Sequence, residues 1–500
     1  MPSHTINGSM PLGLYISVPF CRTKCSYCNF ASDVFSKSAY ENYVARVVED
    51  IAAARQLAPE LGCVLDDTAD SIYLGGGTPS ILDAVQLVRI FAAVRSQFAV
   101  APDAEITVEC APGTLTPALI ETLLQCGVNR VSLGVQSFVD REAQSVGRLH
   151  KRATVLEEIG RLRDAGLANI SIDLIAGLPH QTPESWAYSV SETIATGVPH
   201  VSIYMLEVDD DSRLGRELIA GGARYHAHFV PDDDATADFY QQACKMLAAA
   251  GIQQYEISNF ARSTSQLQNN ESRHNQKYWT RQPYLGFGVD AHSMLRLPVP
   301  VWGQALSPVQ AERSSAATDA HRGCIESGHP QAVRFATPDS LDAYMNHAPH
   351  TVTPVSAQAA MEESFFLGLR LNRGIDLDHL LKPFVTCHPE RSEGPAFCRH
   401  LARTRDSCSS WEGHDFSRAA NAEIGQAALA AEGYGLQQEF SPDVVAAWES
   451  AIRQCLQEGL LEQQGATLRL TARGRLLSNE VFARFLVEET KVGTGHVNPR

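Results

Sequence analysis

The sequence predicts an α/β protein whose main part is a partial (β/α)6 TIM-like barrel, followed by a C-terminal winged-helix-like α+β domain. Two observations carry this prediction. Between Gly13 and Glu207, short apolar runs rich in β-branched residues alternate with amphipathic helical stretches, and such alternation is typical of right-handed βαβ units around a parallel sheet. Near the end of the chain, a helical pattern, a short hairpin and a second helical pattern follow one another.

Six apolar runs have the length and the β-branched content of strands. Six strands are fewer than the eight of a complete TIM barrel, which favours an open, curved barrel. Parallel α/β proteins bind their ligands at the carboxyl ends of the strands, so we expect the chemistry there. The predicted strands are 14–18, 71–74, 105–108, 130–135, 170–175 and 201–206, and the helices between them are 40–56, 82–98, 117–126, 154–165 and 184–195.

Composition limits the functional classes to which the chain can belong. With 500 residues, the chain is long enough for more than one domain and a sizeable core. A net charge of −16 argues against a partner held mainly through phosphates, so no nucleic acid is expected. No apolar run approaches the ~18 residues of a membrane span. The first residues lack a signal-peptide pattern, which predicts a cytoplasmic protein with reduced cysteines rather than a disulfide framework.

We expect four regions along the chain. In the last of them, 443–458 is predicted to be helical, and Thr471 is predicted to cap a final helix that runs to about Leu486. An insertion in the same region carries cysteines and histidines at irregular spacing, which leaves a zinc site and a plain surface loop both open. The regions are a short N-terminal tail (1–12), the barrel (13–230), a linking region (231–345) with a variable loop at about 297–333, and the C-terminal domain (346–500), interrupted at about 386–420.

Three cysteines directly after the first predicted strand form the most informative motif. Cys21, Cys25 and Cys28 have the spacing C-x3-C-x2-C. Thiolates favour zinc and iron–sulfur clusters, and a structural zinc site closes with four protein ligands. A cubane cluster held by three cysteines leaves one iron open for another ligand. Chance clustering in a reduced protein is the alternative, and Tyr27 beside the triad could shield a cluster from water.

Other chemistry-bearing residues stand at or near the ends of later strands. The run Gly75-Gly76-Gly77-Thr78 lets the backbone approach a ligand closely, although a plain turn or a phosphate loop without its lysine are alternatives. Asp173 lies in an apolar run, where its carboxylate needs a ligand, a backbone partner or an arginine. Arg148 is a candidate partner for an acid, unless it is a solvated surface residue. The remaining candidates at strand ends are Glu109 and Gln136.

The chain resembles the radical S-adenosylmethionine (SAM) family that contains oxygen-independent coproporphyrinogen III oxidases (HemN) and the haem chaperone HemW. The resemblance covers most of the chain apart from the two loop-like stretches. It rests on Tyr15-x3-Pro19-Phe20-Cys21-x3-Cys25-x2-Cys28, Gly75-Gly76-Gly77-Thr78-Pro79, Glu109-x2-Pro112, Gly134-Val135-Gln136-Ser137 and Asp173-Leu174-Ile175-Ala176-Gly177-Leu178-Pro179.

This resemblance implies roles for individual residues. Cys21, Cys25 and Cys28 would bind a [4Fe-4S] cluster. The residues that would contact the SAM bound to that cluster are Tyr15, Gly76, Thr78 and Glu109. The positions that match those holding a second SAM in the oxidase are Tyr27, Gly77, Gln136, Arg148 and Asp173.

Three features place the chain nearer to the chaperone branch than to the oxidase branch of this family. Oxidases carry a further cysteine two residues after the third ligand, where this chain has Phe30. Oxidases also have a longer N-terminal extension, whereas fourteen residues precede Tyr15 here. The chaperone branch carries an HNxxYW motif, which matches 274–279 of this chain. By that match His274 could ligate haem iron, with Tyr278 and Trp279 stacking on the porphyrin.

The resemblance therefore implies a chaperone that binds haem and a SAM-coordinated cluster and delivers haem to apo-proteins of the respiratory chain. Two alternatives stay open. An oxidase would decarboxylate the propionates of coproporphyrinogen III through a radical derived from SAM. A related methyltransferase would use two SAM molecules. A homodimer and peripheral contact with membrane complexes also stay open among the expected partners.

Overall fold

A computed structural model describes residues 10–262, 270–298, 331–381 and 440–487. Most of the predicted tail, most of the variable loop and the whole 386–420 insertion lie outside these residues. The described residues up to Val355 form one compact unit, and those from Ser356 onward form another.

The first unit is built on a twelve-stranded sheet whose centre is six parallel strands in sequential order. These six strands match the six runs predicted from the sequence, and they form the partial (β/α)6 barrel. Five of them are longer than their predicted cores because strand pairing continues into the flanking residues, and the sixth covers 200–205 where 201–206 was predicted. The strands are β1 (Leu12–Val18), β2 (Thr68–Gly76), β3 (Ala99–Cys110), β4 (Arg130–Gln136), β5 (Ile170–Ala176) and β6 (His200–Met205).

Seven of the ten helices described for this unit begin at a side-chain cap. Asp83 and Gln86 form a reciprocal capping box at the second helix, and Thr182 caps the sixth in the same way. Gly197 ends that helix in the left-handed conformation, at φ 67°. The helices are α1 (Lys37–Glu60), α2 (Ala84–Gln97), α3 (Pro117–Gln125), α4 (Asp140–Ser145), α5 (Arg152–Asp164), α6 (Pro183–Thr196), α7 (Arg213–Ala220), α8 (Asp233–Ala249), α9 (Arg273–Trp279) and α10 (Leu341–Met345).

The region predicted as a linker, 231–345, instead adds strands to both edges of the barrel sheet. One edge continues from β6 through antiparallel strands, and the other begins with a strand parallel to β1 and continues antiparallel. The unit extends to Val355 rather than ending at 345 because the last strand pairs along its full length with its neighbour. The added strands are β7 (Ile252–Gln254), β8 (Asn259–Arg262), β9 (Tyr284–Phe287), β10 (His292–Arg296), β11 (Ala332–Ala336) and β12 (Thr351–Val355).

Helix α9 closes the amino-terminal end of the barrel, opposite the end where strand-end ligands bind. The buried carboxylate of Glu105 on β3 accepts the backbone N–H groups of Arg273 and His274, each at 3.0 Å. Lys277 is buried in an ion pair with Asp70, with Nζ 2.7 Å from Oδ1. The backbone of β1 approaches this helix so closely that a Cβ at Gly13 would lie 2.8 Å from the Lys277 side chain.

The second unit packs helices around a three-stranded antiparallel sheet. Its core includes Phe365 stacked on Phe485, with ring centroids 4.7 Å apart, and Trp448 beside them. The predicted helix and hairpin are present and Thr471 caps the next helix, which ends at Leu476 before a separate short helix. The winged-helix-like assignment stays a prediction. The elements are α11 (Ala357–Leu369), β13 (Ile375–Asp376), α12 (Leu377–Leu381), α13 (Pro442–Gln457), β14 (Leu461–Gln464), β15 (Thr467–Leu470), α14 (Ala472–Leu476) and α15 (Ser478–Ala483).

Replacing Glu105 with Ala should loosen α9 from the barrel. The change removes the acceptor of two helix N-terminal N–H groups in a buried place, so we expect a loss of about 1–3 kcal/mol in the free energy of unfolding of this unit. Urea unfolding followed by circular dichroism measures that loss. Glu121→Ala, at an exposed position of α3, is the matched control. A Glu105→Ala variant as stable as this control would contradict the role given to the carboxylate.

Candidate cofactor site

The cysteine loop leaves β1 at its carboxyl end, and backbone and threonine contacts hold it in place. The N–H of Cys21 donates to the carbonyl of Asp33 at 3.0 Å. The N–H of Ser26 donates to the carbonyl of Val146 at 3.1 Å, just after α4. The Thr23 hydroxyl donates to the carbonyl of Gly147 at 3.0 Å. These contacts fix the loop without using a cysteine sulfur.

The three cysteines line one cavity of about 450 Å³, and it also collects most of the predicted SAM residues. Among the described residues, no three His, Cys, Asp or Glu side chains converge as ligands of a single ion would. A cubane cluster takes one thiolate at each of three irons, so its ligands surround a volume and need not converge on a point. The predicted residues that line the cavity are Cys21, Cys25, Cys28, Tyr27, Gly76, Gly77, Thr78, Glu109, Gln136, Arg148 and Asp173.

Hydroxyl groups stand beside two of the three sulfurs. The Thr78 hydroxyl lies 3.6 Å from Sγ of Cys21, and the Ser32 hydroxyl lies 3.9 Å from Sγ of Cys28. Burial raises the pKa of the Cys21 thiol, while hydrogen bonds from Thr78 and Ser32 oppose that rise. These donors would bond to a thiolate and so help to hold sulfur in the form that ligates iron.

The glycine run is packed directly against the cysteine loop. The N–H of Gly77 donates to the carbonyl of Val18, and the N–H of Thr78 donates to the carbonyl of Phe20, each at 2.8 Å. A Cβ at Gly77 would lie 2.8 Å from both of these carbonyl oxygens. Glycine is therefore required here because two backbones meet, and the same residues form part of the cavity wall.

Glu109 presents a buried carboxylate at the end of β3. Tyr73 on the neighbouring strand donates its hydroxyl to Oε1 at 2.8 Å. The pKa of Glu109 is raised to about 7, chiefly by burial and also by nearby Asp173. The Tyr73 hydrogen bond, the Gly76 backbone and Arg130 oppose that rise. The group is therefore poised to ionise when a cation is bound near it.

Asp173 is hydrogen-bonded by side-chain hydroxyls, a partner that the sequence did not indicate, and its binding role stays a prediction. Its carboxylate accepts the Ser132 hydroxyl at 3.0 and 2.9 Å, and it also lines the cavity. Burial raises the pKa of this carboxyl, while hydroxyl donors, Ser202 first, and the arginines Arg130 and Arg148 lower it. A carboxylate that accepts these hydrogen bonds still has a lone pair available to accept a hydrogen bond from a ligand.

Two further side chains bring unpartnered polar atoms to the cavity. Arg148 is not a solvated surface residue: one of its terminal nitrogens donates to the Tyr27 hydroxyl at 3.3 Å, and its Nε has no partner among the described residues. Gln136 has φ 68°, which is unusual for a residue other than glycine. Its buried Oε1 has no hydrogen-bond partner among the residues that the structure describes. Orphaned groups of this kind fit a cavity that binds a polar ligand.

The structure places the residues of the HNxxYW motif apart from the cysteine cavity. His274 is 1% exposed; its Nδ1 lies 3.0 Å from the Ser71 hydroxyl and its Nε2 lies 2.8 Å from the Tyr278 hydroxyl. The pKa of this imidazole is lowered to about 3, chiefly by burial and also by Lys277 and Arg130. Ligation of iron by His274 stays a prediction, and it would require one of these hydrogen bonds to break.

The predicted residues that do not line the cysteine cavity are Tyr15 on β1 and His274, Tyr278 and Trp279 on α9. Tyr15 and Tyr278 line a groove beside the cavity, while Trp279 lies next to Tyr278 with ring centroids 6.3 Å apart. The sequence analysis did not single out Tyr73, Ser132 or the cavity-lining Tyr204. The alternation of each strand offered a signal for the first two, because Tyr73 precedes Gly75 by two residues and Ser132 precedes Gly134 by two.

A partial barrel with three cysteines after its first strand defines a radical SAM domain, and residues 15–191 match the family described as the Radical SAM superfamily. The solved structure titled "Coproporphyrinogen III oxidase (HemN) from Escherichia coli is a Radical SAM enzyme" has the same fold. The TM-score is 0.64 at 19% identity, with 95% of this chain and 90% of that chain covered.

Within this superfamily, the chain belongs to the HemW family. It is 30% identical to the haem chaperone HemW of Lactococcus lactis over 369 residues, which is 73% of this chain and 83% of that protein. It is 33% identical to HemW of Escherichia coli over 289 residues, or 58% of this chain and 71% of the relative. To HemW of Synechocystis it is 35% identical over 288 residues, and there the chain spans 66% of the relative's length.

Replacing Cys25 with Ser should abolish cluster assembly, because a hydroxyl does not replace a thiolate on iron. After anaerobic reconstitution, we expect the variant to lack the charge-transfer absorbance near 400 nm and the bound iron and sulfide of the unmodified chain. Cys63→Ser is the matched control, since Cys63 is buried but does not line the cavity. A Cys25→Ser variant that kept a full complement of iron would contradict the triad.

The affinity for SAM should rise between pH 6 and pH 7.5. Ionised Glu109 would attract a SAM cation in this cavity, and with a pKa of about 7 its ionised fraction grows about eightfold over this interval. Asp173, Tyr73 and Arg130 also face this carboxyl and share the site's charge. Calorimetric titration of the reconstituted protein measures the trend, and Glu109→Gln should bind weakly with little dependence on pH. Equal affinity of the unmodified chain at both pH values would refute this role.

Proposed function

We propose that this protein is a haem chaperone that carries a SAM-coordinated [4Fe-4S] cluster and delivers haem to apo-proteins of the respiratory chain. The observation that carries the proposal is its membership of the HemW family, with identities of 30–35% to proteins named haem chaperone HemW. The cavity adds support, because the cysteine triad and the polar side chains suited to SAM share it.

The residues of the cavity suit these cofactors by their chemistry. Cys21, Cys25 and Cys28 would supply three thiolates, and a cluster held in this way offers its fourth iron to the amino acid end of SAM. The carboxylate of Glu109 suits the ammonium or the ribose hydroxyls of SAM. Arg148, with an orphaned Nε, suits a carboxylate. Tyr15, Gly76 and Thr78 are proposed to contact the same molecule, and Tyr27, Gly77, Gln136 and Asp173 are proposed to line the remaining space.

One observation favours the oxidase as a second candidate. The positions that match the second SAM of the oxidase line the same cavity here, so space and polar groups for it are retained. Phe30 argues in the opposite direction, because it occupies the place of the additional oxidase cysteine. Its side chain, 63% exposed, also lines the cavity.

The same proposal includes the cellular location of the protein, its haem acceptors and its oligomeric state. No helix in the described parts of the chain is long and apolar enough to cross a bilayer. We propose a cytoplasmic chaperone whose haem acceptors are reached by peripheral contact with membrane complexes. A homodimer, with a cluster required for its formation, is part of this proposal, and Cys25→Ser should then elute as a monomer.

The chaperone and the oxidase differ in one assay. Reconstituted protein given coproporphyrinogen III, SAM and a strong reductant without oxygen should form no protoporphyrinogen, because Phe30 replaces the oxidase cysteine. In a parallel titration it should bind haem with a shifted Soret band. Liquid chromatography of the oxidised porphyrins measures the first outcome, with an active oxidase of the family as the positive control. Repeated turnover to protoporphyrinogen would overturn the chaperone assignment.

A further inference from the structure

A groove lined by residues of β1 and β9 lies beside the cysteine cavity, and no ligand has been assigned to it so far. We call it the β1–β9 groove; its volume is about 260 Å³. Four residues, among them Phe30 and Gly77, line both the groove and the cysteine cavity. A molecule in the groove would therefore be a direct neighbour of a cofactor in the cavity. The lining residues used below are Tyr15, Phe30, Tyr278, Tyr284, Asp290 and His292.

Aromatic side chains make up much of the groove wall. The rings of Tyr278 and Tyr284 meet edge to face, with centroids 4.6 Å apart. Tyr15 forms part of the floor, and Phe30 presents a ring that is 63% exposed to solvent. An exposed ring beside an aromatic groove is typical of a surface that buries a flat apolar ligand.

His292 brings a metal ligand to this wall. Its side chain is 69% exposed, and its Nε2 lies 3.7 Å from Oδ1 of Asp290. Its other ring nitrogen has no hydrogen-bond partner among the described residues. An imidazole with one nitrogen toward a carboxylate and the other nitrogen open is a common arrangement for binding a metal. His274 differs in each respect, because it is buried with both nitrogens occupied.

The backbone holds His292 in a defined position. It is the first residue of β10, and the preceding turn is bonded to the segment after β11. The N–H of Asp290 donates to the carbonyl of Pro338 at 2.9 Å, and the N–H of Ala291 donates to the Thr337 hydroxyl at 2.8 Å. Asp290 itself has φ 55°. The imidazole and carboxylate are therefore carried by a rigid support, as a ligand site requires.

A cation stands at the rim that the groove shares with the cavity. The ammonium of Lys24 donates to the carbonyl of Phe30 at 3.3 Å, and both residues line the cysteine cavity. A haem bound with one face against Phe30 would have carboxylate groups at its edge, and a lysine at that rim is a suitable partner for them. The groove thus offers an aromatic wall, an open imidazole and a cation.

We propose that the β1–β9 groove is the haem site and that His292, whose Nε2 lies 3.7 Å from the Asp290 carboxylate, is the iron ligand. This inference rests on the proposed function, because haem as the cargo comes from there. The porphyrin lies along Tyr278, Tyr284 and Phe30 while the open nitrogen of His292 binds the iron. Haem and the cluster with its SAM are then neighbours across Phe30, and occupancy of one site affects the affinity of the other.

Anaerobic titration of the reconstituted full chain with ferric haem tests the proposal. His292→Ala should weaken binding at least tenfold and move the Soret maximum, and added imidazole should restore the spectrum, because it replaces a ligand and not a packing contact. His228→Ala, at another exposed histidine, is the matched control and should behave as the unmodified chain. Circular dichroism of each variant confirms the fold.

The outcomes separate this inference from the proposed function. If the unmodified chain binds no haem, the chaperone function fails. If it binds haem and His292→Ala has unchanged affinity and spectrum, the groove assignment is wrong while the function survives. A changed Soret band in His274→Ala with no change in His292→Ala would return the ligand to the HNxxYW motif. The Asp290→Asn variant provides a second measurement. It should still bind haem, but the reduction potential of the bound haem should rise, because the imidazole of His292 becomes a weaker electron donor to the iron.

Discussion

The backbone contact between the glycine run and the cysteine loop is the constraint on which the site depends. Two N–H groups of the run donate to carbonyls on either side of Pro19, so β2 positions the start of the cysteine loop directly. A side chain at Gly77 would separate the two segments, since its Cβ would meet both carbonyl oxygens at 2.8 Å. The relative positions of Cys21 and the Thr78 hydroxyl therefore depend on Gly77, because it has no side chain. Parallel pairing of β1 and β2 up to Gly76 brings the segments to this point.

The barrel interior is divided into two polar layers, and they follow from strand alternation. At the amino-terminal end Glu105 is used by the backbone of α9 and His274 by two hydroxyl groups, although Nε of Arg130 there has no partner among the described residues. The carboxyl-terminal layer keeps groups unused, including Nε of Arg148 and Oε1 of Gln136. A buried polar atom without a partner is costly unless a ligand completes it. The unpartnered atoms of Arg148 and Gln136, which line the cysteine cavity, are therefore suited to binding a polar ligand.

Much of this organisation could be predicted from the sequence, because the strong signals are local. The six parallel strands follow from β-branched runs between helices, and the cysteine triad and Glu109 follow from their positions at strand ends. The strands added after 231 could not be recognised in the same way. They are three to five residues long, and β9 joins β1 across more than 260 residues of sequence, so only the tertiary pairing defines them. The hydrogen bonds that occupy His274 depend on Ser71, which no motif links to it.

Phe30 distinguishes this chain both in its sequence and in its structure. In the sequence it is the residue that separates the chain from the oxidase pattern, and in the structure it stands between the cysteine cavity and the β1–β9 groove. A cysteine there would present a small, reactive side chain to the cofactor site. A phenylalanine instead offers an apolar face to a neighbouring molecule. Under the proposed function, this one difference next to the triad would favour retention of a flat ligand over oxidase chemistry, with the barrel and the cysteines unchanged.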